Sequence, residues 1–200
     1  MMTDAPTTHA SLLARLGDAR DADAWARFVE LYAPPIYRFA RRRGLQDADA
    51  ADLTQDVLRN VSGAFRRGGF DAKLGSFRAW LFTVVRNRLR DLQTSPKRRE
   101  RGAGDTATLD RLGEIPDAVA EPGELWDQEC ERQMFAWAAE QVRARFAPAS
   151  WQAFWRTAVE GERGPDVAKE LGLTVAAVYL AKGRVMTAIK EQVKLVEDDQ

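Results

Sequence analysis

Histidine and cysteine are almost missing from this chain: its 200 residues include one of each, His9 and Cys130. A single cysteine excludes an internal disulfide and any multi-cysteine metal cluster. His9 sits in a polar opening segment and Cys130 on an apolar helical stripe, so they read as tail and core. No Gly-rich phosphate loop stands out, and no carboxylate pair at metal-ligand spacing. The sequence therefore predicts no enzyme, no catalytic residue, no metal and no cofactor. Also missing is any run near the roughly 20 apolar residues that a membrane span requires. The start, MMTDAPTTHASLL, lacks a basic segment followed by an apolar stretch. The expected location is the cytoplasm, away from membranes. An excess of charge is absent too, with 30 Lys and Arg against 30 Asp and Glu. A case for nucleic-acid binding must therefore come from where the charges sit and not from their sum.

Strand patterns are also scarce, whereas apolar spacings of three and four recur throughout, so the fold class is all-α. Trp25, Phe28, Val29 and Tyr32 form one helical face, which Pro34 and Pro35 are expected to interrupt before Ile36, Phe39 and Ala40 resume it. Gly44 ends that element. From Asp49 a second helix carries Leu53, Val57, Val61 and Phe65 on one stripe and turns Asp52, Gln55, Asp56 and Arg59 outward, stopping at Gly68-Gly69. FDAKLGS is a loop, and Ser76 is an N-cap candidate for a third helix through Phe77, Trp80, Leu81, Val84 and Leu92. Phe77 and Trp80 read as core.

From about Thr94 to Glu124 the aromatics vanish while Gly, Pro, Asp and Glu accumulate, which marks a flexible linker. Charge segregates around it. Arg86 to Arg101 holds seven basic residues against Asp91 and Glu100, whereas Asp105 to Glu131 holds nine acids and one Arg. The first stretch suits a polyanion and the second repels one. A second helical unit then places Cys130, Met134, Trp137, Ala138 and Val142 inward. After Pro148 it continues with Trp151, Phe154, Trp155, Ala158 and Val159.

The last third holds VAKELGLTVAAVYLAK. Gly164-Pro165 opens a short helix with Val167, Ala168 and Leu171 inside. Gly172 is suited to a left-handed turn and Thr174 to capping the next helix. That helix buries Val178, Ala181, Val185, Ile189 and Val193. It presents Ala176, Ala177, Leu180, Gly183, Arg184 and Thr187, flanked by Tyr179, Lys182 and Lys190. Two helices joined by so short a Gly-containing turn are the signature of a helix-turn-helix whose second helix enters the major groove. No acid occurs between Glu170 and Glu191, and the outward residues near the turn are small. Few of them donate hydrogen bonds, which favours contact with thymine methyl groups.

FVELYAPPIYRFARRRG, DAADLTQDVLRNV, FDAKLGSFRAWLFTVVRNRLRD and GPDVAKELGLTVAAVYLAKGRV stand in this order. Together they resemble the extracytoplasmic-function (ECF) group of bacterial RNA polymerase sigma factors. The resemblance implies a region 2-like helical domain over 20–94, an acidic linker over 95–124, and a region 4-like domain over 125–196 ending in the helix-turn-helix. It implies a protein that directs core polymerase to specific promoters and helps open the DNA. Asp52, Gln55, Asp56 and Arg59 then fall where the family docks on the clamp helices of the β′ subunit. Phe70, Arg86, Asn87, Arg88 and Arg90 fall on the downstream promoter element, with Phe70 and the loop to Ser76 as a pocket for an extruded base. Thr174, Val175, Ala176, Tyr179, Leu180, Lys182 and Arg184 fall on the upstream element. The family usually carries more basic and polar residues where Tyr179, Leu180 and Ala181 stand. The implied partners are core polymerase, through β′ and β, promoter DNA and, for some members, an anti-sigma factor; the free chain is expected to be a monomer. The alternative is a stand-alone helix-turn-helix regulator, which would ordinarily dimerise. No segment reads as a dimer helix.

Overall fold

The computed structural model describes residues 9–18, 20–68, 70–71, 75–94 and 123–197. The acidic tether (apart from Gly123 and Glu124), the basic run Lys97 to Arg101, and residues 72–74 of the FDAKLGS loop lie outside them. Among the described residues there are eight helices and no strand. They are α1 (His9–Arg15), α2 (Ala22–Arg42), α3 (Asp47–Arg66), α4 (Phe77–Thr94), α5 (Glu124–Arg143), α6 (Pro148–Ala158), α7 (Gly164–Leu171) and α8 (Val175–Glu197). The all-α expectation holds. No single helix among the described residues is long and apolar enough to cross a membrane.

The chain divides into two compact units, and the division falls inside α5, between Gln133 and Met134. The sequence reading instead starts its second domain at residue 125. The first three turns of α5 belong to the first unit because their side chains are buried there. Trp126 has no exposed surface and meets Phe39 edge-on at 5.7 Å and Phe82 at 5.8 Å. Glu129, 1% exposed, accepts from Arg38 Nε at 2.5 Å and pairs with Arg42 Nε at 2.9 Å. A buried carboxylate is tolerable only with such partners.

In the first unit the stripe read from the sequence is the core: Phe28, Leu53, Val57 and Val61 are fully buried, with Phe65 nearly so. Phe77 and Trp80 lie in the same core, as expected. The opening segment, read as a tail, supplies α1, whose Leu12 together with the following Leu16 is buried. Arg15 grips Asp21 with two bonds of 2.6 and 2.9 Å, while Asp21 also accepts from Ala24 N–H at 2.9 Å and so caps α2. The Arg15 guanidinium, then the Ala24 amide, holds the Asp21 carboxyl below its ordinary pKa. Ser76 caps α4 by accepting from Ala79 N–H at 3.2 Å.

One expectation is overturned. Pro34 and Pro35 do not break the helix; α2 runs through them from Ala22 to Arg42. A proline has no N–H, so Pro34 leaves the Glu30 carbonyl without its helical donor. Gln133 Nε2 donates to that carbonyl at 2.9 Å in its place. The buried run Phe28, Leu31, Tyr32, Pro35, Ile36, Phe39 spans both prolines, so keeping the helix whole keeps that core closed.

The second unit is built on Ala153, Val167, Ala168, Val178 and Ala181, with Leu171 and Leu173 against them. Arg156 of α6 ties the unit together, donating to Glu162 at 2.8 Å and to Glu170 of α7 at 2.6 Å. Gly172 takes the left-handed conformation, φ 65° and ψ 30°, and Thr174 Oγ1 accepts from Ala177 N–H at 3.1 Å. Both match the sequence reading. The α6 stripe is shifted, however. Ala153, Phe154 and Thr157 face inward, whereas Trp151 and Trp155 are half-buried and Val159 is 44% exposed.

Candidate nucleic-acid interface

Along α3, residues three and four apart share a face, which brings Asp52, Gln55, Asp56 and Arg59 into one row. Asp52, Gln55 and Arg59 are exposed. Asp56 is not: its carboxylate is 15% exposed and is held by two guanidiniums, Arg59 on its own helix and Arg88 on α4. Arg88 is itself only 16% exposed, and its Nε is buried with no partner among the described residues. Asp56 and Arg88 thus join the two helices to which the family resemblance assigns different tasks. That pairing is a tertiary fact, since 32 positions separate them.

On α4, Arg86 and Arg90 lie one turn apart and are both exposed, with Asn87 half-buried beside them. Arg88 points instead toward α3. Phe70 is half-buried, its ring 5.5 Å from Phe77 and 6.0 Å from Trp80. It therefore stands at the rim of an aromatic cluster that includes Phe65, with one part of the ring packed and another open.

In the second unit α7 and α8 cross at 104° around the three residues Gly172 to Thr174. Thr174, Val175, Ala176, Tyr179, Leu180 and Arg184 are all exposed. Tyr179 at 54%, Leu180 at 63% and Val175 at 41% are among the most exposed large apolar side chains described. Lys182 behaves differently. It is half-buried and its Nζ donates at 3.3 Å to the carbonyl of Thr157, in the last turn of α6, where a cation suits the helix dipole.

The sequence reading missed three arrangements. A groove of about 570 Å³ is lined by Ala136, Ala139, Glu140, Arg143, Trp151 and Trp155. The two indoles stack at 5.9 Å, and the Arg143 guanidinium lies 6.0 Å over Trp151. The aromatic spacing is visible in the sequence, but it reads there as core. The Arg38, Arg42 and Glu129 cluster had no local signal at all. The third is a close approach of Tyr179 to Gly164.

Cys130 is fully buried, and burial pushes its thiol up to about 12. Only the thiolate is nucleophilic. The folded protein should therefore react with a disulfide reagent far more slowly than the same protein in denaturant. Equal rates by absorbance would contradict the packing of α5.

Residues 28–99 match the model of the Sigma-70 region 2 family. The RNA polymerase sigma factor CnrH of Cupriavidus metallidurans is 27% identical over 190 residues, 94% of either chain. The ECF RNA polymerase sigma factor RpoE of Cereibacter sphaeroides is 30% identical over 82 residues, 41% of this chain and 44% of that one. A solved structure of CnrH in complex with the cytosolic domain of CnrY covers 96% of this chain and 99% of its own at 21% identity, with a TM-score of 0.37. A stand-alone regulator would have no use for a region 2 domain, and such a domain is matched across α2, α3 and α4. The chain carries a Sigma-70 region 2 domain over residues 28–99 and is similar, over most of its length, to an RNA polymerase sigma factor.

Proposed function

We propose that this chain acts as an ECF RNA polymerase sigma factor and distributes its tasks over three helices. The exposed Asp52 and Gln55 of α3 dock on core polymerase, with Arg59 at the edge of that patch. Arg86, Asn87 and Arg90 of α4 follow the separated strand of the downstream element, and Phe70 at the rim of the aromatic cluster offers a stacking surface to an extruded base. Within α8, the residues Val175, Ala176, Tyr179, Leu180 and Arg184 enter the major groove of the upstream element. Asp56 and Arg88 serve these surfaces by fixing α3 against α4, and Lys182 by holding α8 against α6.

The observation that carries this reading is the α7 and α8 pair. Its 104° crossing falls in the range of DNA-reading helix pairs. Its exposed face is apolar and basic, without an acid from Leu171 to Lys190. An exposed apolar row on a soluble helix marks a contact surface.

Balanced charge supports a division of labour in which the free chain, a cytoplasmic monomer, holds DNA weakly and polymerase docking decides when promoters are engaged. The test is run-off transcription on genomic fragments with purified core polymerase, paired with gel shifts of the free chain. Discrete transcripts that depend on the added protein are expected, with little shift at physiological salt. Polymerase that initiates no differently with the chain present overturns the reading, and tight specific binding by the free chain overturns the division of labour.

A further inference from the structure

Gly164 begins α7 and is buried. Five glycines among the described residues have positive φ, and Gly164 is not one of them. Its backbone conformation is thus open to any residue, and alanine would favour the helix more. What forbids a side chain there is Tyr179. A methyl group on Gly164 would lie 2.8 Å from both Cζ and the hydroxyl oxygen of Tyr179, and 3.2 Å from Cε2. These are contacts with the far end of a ring, so the ring and not the backbone would have to move. The bare Cα of Gly164 is the seat on which the hydroxyl end of the ring rests. The ring is still 54% exposed, between Val175 one turn before it and Leu180 beside it.

We propose that Gly164 is a positioning residue for promoter specificity: by leaving room for the hydroxyl end of Tyr179, it sets the pose in which that ring meets the upstream element. This rests on the assignment of α8 as the groove-entering helix. A ring anchored at its far end has fewer rotamers to lose on binding, so its cost of immobilisation falls. It also presents its remaining carbon surface at a fixed height above α8. Adding one methyl group at Gly164 lifts the ring from its seat and changes which base edge it reaches.

The experiment selects upstream sequences from a randomised promoter library with reconstituted holoenzyme. It uses the parent chain, Gly164→Ala, Tyr179→Ala and the double variant, and follows thermal unfolding of each. Gly164→Ala is expected to shift base preference at the position where Tyr179→Ala also shifts it. It should lower affinity for the parent's preferred sequence about tenfold, the size of one mismatched base pair. In the Tyr179→Ala background the glycine substitution should add nothing. If Tyr179→Ala alters preference while Gly164→Ala keeps the parental one, the positioning role is refuted and the α8 assignment stands. If Tyr179→Ala, too, keeps the parental preference, the α8 assignment is what fails. Should Gly164→Ala unfold the protein, the double variant must fold like Tyr179→Ala; a double variant that also unfolds overturns the proposal, because the cost then lies elsewhere than in the ring.

Discussion

Alanine at both Asp52 and Gln55 is expected to weaken binding to core polymerase on the order of 100-fold while leaving the unfolding midpoint in urea unchanged. Both side chains are exposed on α3, so their loss removes contacts without opening the core. Asp56→Ala should behave differently, although it lies in the same row. Its carboxylate holds the Nη2 group of Arg88, which is 16% exposed and whose buried Nε has no partner among the described residues. Removing Asp56 strands that cation at the α3–α4 contact and should cost about 2 kcal/mol of stability. Polymerase titration with labelled protein, read beside urea unfolding, separates the outcomes. If the Asp52 and Gln55 pair loses stability instead of affinity, or if Asp56→Ala loses neither, the division of α3 into a docking row and an internal fastener is wrong.

Trp126→Ala should destabilise the first unit by about 3–5 kcal/mol, as expected for truncating a large buried aromatic. Its indole has no exposed surface and lies between Phe39 and Phe82, and one turn on the helix places Glu129 under Arg38 and Arg42. Emptying the indole site loosens the helix that carries this buried carboxylate, so cavity and charge costs fall together. Trp126→Phe keeps a ring there and removes an N–H that has no hydrogen-bond partner among the described residues. Its cost should be much smaller. Trp155→Ala, on the half-open groove of the other unit, should also cost clearly less. Urea unfolding followed by circular dichroism ranks the three. A Trp126→Ala protein as stable as Trp155→Ala would mean that the start of α5 is not held in the first unit.

Much of the fold could be read from the chain because helices announce themselves locally. Leu53, Val57, Val61 and Phe65 repeat at the helical period, and they are buried. Ser76, Thr174 and Gly172 are residue types that satisfy or end a helix within a few positions, and each does so. The surfaces were legible to the same degree: Asp52, Gln55, Arg86, Tyr179 and Leu180 are exposed where the pattern puts them. Asp56, Arg88 and Lys182 share that pattern, yet their charges are engaged within the protein, because an outward position on one helix can face its neighbour.

By itself, then, the sequence determined that the chain is helical and where most helices begin and stop. Both are carried by residues within a turn or two of one another. Tertiary structure alone decided that the Glu30 carbonyl, left without its helical donor by Pro34, is met by Gln133, 103 positions away. It alone decided that Glu129 is buried under arginines 91 and 87 positions earlier, and that Tyr179 rests on a glycine in another helix. Backbone periodicity encodes which face turns inward. It carries no record of which distant group will be waiting there.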